Sequence, residues 1–273
     1  FRPIENDKNS LYNNNIGTIC GDKQGHIYIR CKYAVVEYDI KKNTFHTIRD
    51  NDIQAITYDN ARLWVCTRDS LFTYNRVEDR LDYYYNLEGV RMSCVTEDSA
   101  GNLYVGTMNN GLYMIDHNKK WLNYFPKKDI TCIYEDSKKS IWVGTKDDGL
   151  FRLDRNGGIT NYGTAPHQNM LSSSYVRCVV EDNLGNYWIG TFKGLDKLDV
   201  TTGTFTHYSK DNKPYSLSNS SIICMMKDRQ GTFWIGTYYG GVNLFNPDYE
   251  IYTYYYPDES QKGKLTSPFA GRM

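Results

Sequence analysis

The chain has 273 residues, and its 32 lysines and arginines are balanced by 32 aspartates and glutamates. That balance excludes the broad positive field that draws proteins to nucleic acid or to an acidic membrane surface. Tyrosine is abundant, with 25 copies, while long helical apolar patterns are scarce, which favours strands; no apolar run is long enough to cross a bilayer as a helix.

In chain order, Phe1-Arg2-Pro3-Ile4 reads like the end of a repeat, as at Phe205-Thr206-His207-Tyr208. One pattern then recurs: Asp, two residues, usually Gly, two residues, an aromatic, then an aliphatic-Gly-Thr step. Degenerate copies run from Asp22 to Cys31 and from Asp59 to Thr67. Clearer copies run from Asp98 to Thr107 and from Asp136 to Thr145, and the clearest from Asp182 to Thr191 and from Asp228 to Thr237. Six repeats follow, at about 11–48, 52–84, 90–124, 129–162, 171–208 and 216–255. Leu265-Thr266-Ser267-Pro268 resembles the start of another, as at Leu217-Ser218-Asn219-Ser220. The expectation is a piece of a longer protein, one propeller region over 1–273, cut within its repeat array. A period of about 40 residues marks a repeat architecture.

Each repeat reads as four short strands. In the fifth these are 176–180, 187–191, 195–198 and 204–208. In the sixth, Ile222 to Met226 is an apolar run, expected for a strand buried on both faces. Asp228-Arg229-Gln230-Gly231 is a turn, with Asp at its first position and Gly in the left-handed one. Strands at 233–237, 242–245 and 251–254 follow. Four antiparallel strands per repeat is the sequence form of an all-β fold, a β-propeller of four-stranded blades. A solenoid of β-turns is the alternative, although its repeats are usually shorter. The aromatics Tyr28, Trp64, Tyr104, Trp142, Trp188 and Trp234 are expected to fill the spaces between blades. The Gly two residues later permits close backbone approach.

Strand direction maps the ends of each blade. The Asp-x-x-Gly turns are uniform, as a structural device would be. The opposite end varies, and variable loops on a rigid scaffold are where binding specificity is placed. Its short loops offer Arg68 and Asp69, Asn109 and Asn110, Asp147 and Asp148, Phe192 and Lys193, and Tyr238 and Tyr239. Its long loops span 163–174 and 209–221. Aromatic faces stack on sugar rings while polar neighbours orient hydroxyls, so Phe192, Tyr238 and Tyr239 are the leading candidates.

Other groups read as structural. The recurrent Asp is a turn former. Asp147-Asp148 is an adjacent pair on one loop, unlike glycosidase carboxyls, which flank the scissile bond about 5 to 10 Å apart. Cys94, Cys132, Cys178 and Cys224 each precede the recurrent Asp by four residues and read as small buried side chains packed between repeats. The odd total of seven cysteines in so long a chain argues against a disulfide framework, and zinc spacing is absent. The five histidines follow no metal-binding spacing, and His46 and His207 fall at matching outer-strand positions. No cofactor fingerprint is present, nor any nucleophile elbow or P-loop.

Trp-Ile-Gly-Thr followed by Gly-Leu or Gly-Gly-Val, with a trailing Asp or Asn-Pro, resembles the two-component regulator propeller family. The segments 174–199 and 216–247 carry the closest likeness; Tyr28-Ile29-Arg30-Cys31 and Trp64-Val65-Cys66-Thr67 depart from it. The resemblance implies part of a seven-bladed propeller in the periplasmic sensor region of a hybrid two-component system, anchored in the inner membrane. It implies an oligosaccharide ligand, an adjacent propeller and β-sandwich in the same protein, and a homodimer. The kinase and DNA-binding parts would lie elsewhere, and this segment would touch neither nucleic acid nor membrane. The alternatives are a propeller-fold glycan hydrolase or lyase, which would show a convergent acid/base constellation, and a scaffold propeller that binds nothing.

Overall fold

The computed structural model describes residues 1–4, 7, 9–163, 170–211 and 216–247, and the backbone of 251–255. The likeness noted at 265–268 lies outside the described residues, as do 164–169 and 212–215 of the two long loops. All regular structure among the described residues is β: six four-stranded antiparallel sheets, each ordered first to fourth strand along the chain. Blade 1 comprises Ile16–Gly21, His26–Cys31, Ala34–Asp39 and Thr44–Arg49; blade 2 comprises Ala55–Asp59, Arg62–Cys66, Ser70–Asn75 and Arg80–Asn86. Blade 3 comprises Met92–Glu97, Leu103–Thr107, Leu112–Ile115 and Trp121–Tyr124; blade 4 comprises Ile130–Glu135, Ile141–Thr145, Leu150–Leu153 and Ile159–Tyr162. Blade 5 comprises Val176–Glu181, Tyr187–Thr191, Leu195–Leu198 and Phe205–Tyr208; blade 6 comprises Ile222–Lys227, Phe233–Thr237, Gly241–Asn246 and Ile251–Tyr255. These are the blades of a β-propeller. The chain divides into two compact units, Phe1–Ile130 with blades 1 to 3 and the first residue of blade 4, and the rest from Thr131 onward.

Phe1 to Ile4, which read as the end of a repeat, form no strand. The Phe1 ring instead packs on Tyr38 and Phe45, with centroids 4.7 and 5.1 Å away.

Burial follows position within the sheet. The second strands of blades 3, 4 and 5 are buried at every residue, because each has a strand on both sides and packed layers on both faces. The first strand, expected to be buried on both faces, is an edge strand, and Met226 at its end in blade 6 is 38% exposed. Fourth strands form the other edge and are largely exposed in blades 3 and 4.

The second-strand aromatics join neighbouring blades. Trp64 lies among Val95, Leu103, Val105 and Ile115 of blade 3. Trp142 packs on Tyr187 of blade 5, ring centroids 4.1 Å apart, and Trp188 on Phe233 and Phe245 of blade 6. All three Trp are 1% exposed or less. Truncating any of them to Ala costs about 3–5 kcal/mol on the scale of core aromatics. Trp234, in blade 6, departs from the expectation and is half-buried.

The repeated Asp holds the turn and the Trp together. In blade 5, Asp182 Oδ1 accepts the N–H groups of Leu184 and Asn186, while Oδ2 accepts Trp188 Nε1–H at 3.1 Å. Blade 6 repeats this with Asp228, Gln230, Thr232 and Trp234. Gly185 and Gly231 close these turns at φ of +82° and +84°, a conformation that costs glycine nothing. The Asp59 copy differs. There a two-residue turn, Asn60-Ala61, with both φ positive, joins Asp59 directly to Arg62, because that copy is one residue shorter. Trp64 Nε1–H turns to Glu97 Oε2 of the next blade, at 2.7 Å.

The Gly of the second strand serves the cysteines. A Cβ at Gly144 would lie 2.4 Å from Cys132 Sγ and 2.9 Å from Val176 Cγ1 of blade 5. Gly190 is crowded in the same way by Cys178 and by Ile222 of blade 6, and Gly106 by Cys94 and Ile130. The thiols fill the seam between blades as expected, but only Cys224 of the four is fully buried; Cys94, Cys132 and Cys178 are half-buried. They sit on the edge strand, where one side stays partly open.

Candidate functional site

The loops after each second strand and before each first strand share one end of a blade, and backbone hydrogen bonds tie them in pairs. Phe192 N–H donates to the Tyr175 carbonyl at 3.0 Å, and Tyr238 N–H to that of Ser221 at 2.9 Å. These bonds hold the first loop residue beside the entry to the first strand. In blade 5 both members of the pair are aromatic. The Tyr175 and Phe192 rings lie nearly parallel, 15° apart, with centroids separated by 6.2 Å.

A bulge brings a third group to this pair. The first strand of blade 5 shifts register between Val176 and Cys178, leaving Arg177 without a ladder partner. A bulge re-aims the side chain it carries. The Arg177 guanidinium lies 4.6 Å from the Tyr175 centroid and 5.1 Å from that of Phe192, within cation–π range. Its Nη1–H groups reach into blade 6, donating to Ser221 Oγ at 2.9 Å and to the Ile222 carbonyl at 3.1 Å. Other blades put a hydroxyl there. Ser93 Oγ–H donates to the Ile130 carbonyl at 2.6 Å, and Thr131 Oγ1–H to that of Val176 at 2.5 Å.

Phe192 is 50% exposed, and Tyr238 and Tyr239 are 43% and 53% exposed. The last two rings meet edge to face at 4.3 Å, and the Tyr238 hydroxyl, hydrogen-bonded to that of Tyr239, raises the Tyr239 pKa. Lys193, beside Phe192, is exposed, its N–H tied to Thr191 Oγ1 at 3.2 Å. Blades 5 and 6 thus present an aromatic surface with a guanidinium set into it.

The remaining sequence candidates occupy the equivalent loops. Asp147 is exposed and Asp148 half-buried in blade 4, with Asp148 N–H donating to Thr145 Oγ1 at 3.0 Å. In the first unit, Asn109 sits at φ +63° and donates its N–H to Asp129 Oδ1 at 2.6 Å; the Asn110 carbonyl accepts Asn123 Nδ2–H at 2.9 Å. The Arg68 and Asp69 carbonyls accept the N–H groups of Met92 and Leu87, and the Asp69 carboxylate accepts Ser70 Oγ–H. Sequence reasoning missed Tyr175 and Arg177. The available signal was a polar residue interrupting an apolar strand just before the recurrent Cys: Ser93, Thr131 and Arg177.

A buried acid lies below the same loops. Asp196 is fully buried and accepts Ser172 N–H at 2.8 Å, Ser172 Oγ–H at 3.0 Å and His207 Nδ1–H at 2.7 Å. Burial raises its pKa, against the pull of His207 and Ser172. In blade 6 Asn243 takes the same place with Ser218. The Ser172 hydroxyl is bonded to the carboxylate rather than to the imidazole, unlike a Ser–His pair, and the Asn243 counterpart in blade 6 marks a loop clasp. Among the described residues no three His, Cys, Asp or Glu side chains converge in a way that could hold a metal.

Residues 124–147, 170–193 and 216–239 match the family model described as the two component regulator propeller. Those three segments, about a quarter of the chain, are similar to two-component regulator propeller repeats. Each match runs from the loop before a first strand to the loop after the second, so the regulator-propeller signature in blades 4 to 6 encloses both loop sets at the candidate end. None of the curated proteins compared with the chain matches it. Among solved structures, a virginiamycin B lyase from Staphylococcus aureus aligns with a TM-score of 0.72 at 13% identity, over 89% of this chain and 85% of that one. PorZ of Porphyromonas gingivalis, an essential surface component of the type-IX secretion system, aligns with a TM-score of 0.72 at 15% identity, over 98% of this chain and 44% of that one. The extracellular domain of the hybrid two-component system BT4673 from B. thetaiotaomicron is 20% identical, with a TM-score of 0.44, over 97% of this chain and 45% of that one. The lyase and PorZ likenesses are likenesses of fold alone. The chain spans less than half the length of the PorZ and BT4673 chains.

Proposed function

We infer that this regulator propeller is the non-catalytic, ligand-sensing part of a hybrid two-component system. It lies outside the cytoplasm, in the periplasm, and detects an oligosaccharide whose degradation the system controls. The observation that carries this reading is the exposed surface of Phe192, Tyr238 and Tyr239, with half-buried Tyr175 stacked on Phe192, on a propeller whose blades 4 to 6 match regulator repeats. Aromatic faces take sugar rings, and half-exposed rings fixed by backbone bonds bind with little loss of freedom. The partners in this reading are a second propeller and a β-sandwich of the same protein, and a second copy of it. A ligand transmits a signal only by favouring one arrangement of these parts over another.

Calorimetric titration of the intact protein with a panel of purified oligosaccharides tests this. Binding that weakens at least tenfold in a folded Phe192→Ala/Tyr238→Ala variant supports it. Turnover of any bound oligosaccharide, followed by chromatography of the mixture, would refute the non-catalytic reading.

A further inference from the structure

We propose that the site on blades 5 and 6 is selective for an acidic saccharide, one whose sugar ring carries a carboxylate or sulfate, and that Arg177 reads the anion. This rests on the sensing reading above and specifies its ligand.

Arg177 is the only member of its positional series that is cationic. Gly17, Ser93, Thr131 and Ile223 stand at the corresponding bulge or strand-entry positions of blades 1, 3, 4 and 6. The inter-blade bond itself does not need a charge, since the hydroxyls of Ser93 and Thr131 make it at 2.6 and 2.5 Å. Blade 5 therefore has a guanidinium where a hydroxyl suffices for the scaffold. Arg177 spends Nη1 on Ser221 Oγ and the Ile222 carbonyl. Its Nε and Nη2 take no partner among the described residues and are not sealed from solvent. That edge of the fork, two parallel N–H groups, fits a carboxylate or sulfate bidentately. Two bonds to blade 6 and two flanking rings fix the fork before any ligand arrives, which lowers the cost of binding.

The surroundings supply the rest of the ligand's contacts. Phe192, half-exposed next to the fork, offers a face for the ring that bears the anion. Lys193 in the same loop and Lys210 in the loop leading to blade 6 are exposed, and neither forms an ion pair among the described residues. Asp211 follows Lys210, and Asp147 and Asp148 stand on blade 4, the side away from the one toward which Arg177 reaches. Those carboxylates disfavour a diffusely anionic ligand and leave the positioned fork to decide selectivity.

The test is calorimetry of the intact protein with three matched probes: an oligogalacturonate, its methyl ester, and a sulfated disaccharide, each compared with a neutral gluco-oligosaccharide. The expected result is binding of the uronate or the sulfated probe at least tenfold tighter than of the ester or the neutral sugar. That affinity should fall at least tenfold in Arg177→Gln and weaken as salt rises. Arg177→Lys, which keeps the charge but not the fork, should recover only part of it. Unfolding midpoints of both variants establish that they fold, and Lys193→Gln is the second variant should they not. Neutral probes binding as tightly as the anionic ones, or full affinity in folded Arg177→Gln, would overturn acidic selectivity while leaving glycan sensing standing. Absence of binding by every probe would overturn both.

Discussion

The Tyr187 hydroxyl of blade 5 donates to Asp136 Oδ2 of blade 4 at 2.7 Å, the same oxygen that accepts Trp142 Nε1–H at 2.8 Å. One carboxylate thus clasps its own blade's Trp and the next blade's Tyr, while its Oδ1 takes Ser140 N–H at 2.7 Å to close the turn. All of these side chains are buried. Asp136→Ala strips three donors of their acceptor at once, and each buried unsatisfied group costs about 1–3 kcal/mol. The expected loss is roughly 3–5 kcal/mol, measured by urea unfolding followed through tryptophan fluorescence. Asp136→Asn retains oxygen for one donor set and should lose less.

A different seam governs the glycine of the second strand. Gly144→Ala brings a methyl against Cys132 Sγ and Val176 Cγ1, both inside ordinary contact distance. Overpacking of this kind costs about 1–3 kcal/mol. Cys132→Ala removes the nearer clash, so the double variant should be more stable than the sum of the two single losses predicts. Unfolding midpoints of the three variants form the cycle, and strict additivity would show that Cys132 yields freely.

Much of this was legible because the signals recur. Recurrent copies of one turn and one aromatic step specify four-stranded blades, strand order and the inter-blade role of Trp64, Trp142 and Trp188. The turn role of Asp182 and Asp228 also follows from spacing, whereas their bond to the indole N–H does not. What stayed hidden depends on position across the chain. Trp234, in the last described blade, is half-buried where its equivalents Trp64, Trp142 and Trp188 are buried. The first strand reads as apolar in sequence but is an edge strand, so Met226 is exposed. Arg177 and Tyr175 escaped notice because a bulge, which leaves no mark in composition, turns Arg177 toward the loops. Phe192 and Tyr238 could be named as candidates from sequence because loops after the second strand vary while the scaffold does not.

The Asp196–Ser172–His207 clasp has a pH signature. Burial raises the folded-state pKa of Asp196 above its ordinary value of 3.8. A raised pKa means that its contribution to stability is fully present below the unfolded value and is lost as pH rises through the folded one. Asp196→Asn copies the Asn243 arrangement and removes that titration. The variant should therefore gain on the wild type as pH rises above 3.8, measured as the difference in urea midpoints. The opposite slope would show that the charge of His207, and not burial, governs the carboxyl. Asp196→Ala, which leaves Ser172 N–H and His207 without an acceptor, should cost about 2–3 kcal/mol at neutral pH.

The bulge residues predict how blades are tied to one another near the candidate site. Thr131 Oγ1–H is the donor that reaches the Val176 carbonyl, and Arg177 reaches the Ile222 carbonyl one blade later. Thr131→Val keeps the shape and removes the donor, so it should cost about 1–2 kcal/mol in urea unfolding. Val176 directly precedes Arg177, so the Thr131 bond also steadies the bulge from which the guanidinium projects. Thr131→Val should then weaken an anionic ligand severalfold while leaving Phe192 and Tyr238 untouched, a loss that added salt would not mimic for a neutral ligand. Arg177→Thr is the converse exchange. It should preserve stability to within about 1 kcal/mol, because the shorter donor already serves the blade before, and abolish the preference for an anion. Loss of stability without loss of preference would reverse the division of labour assigned to these two positions.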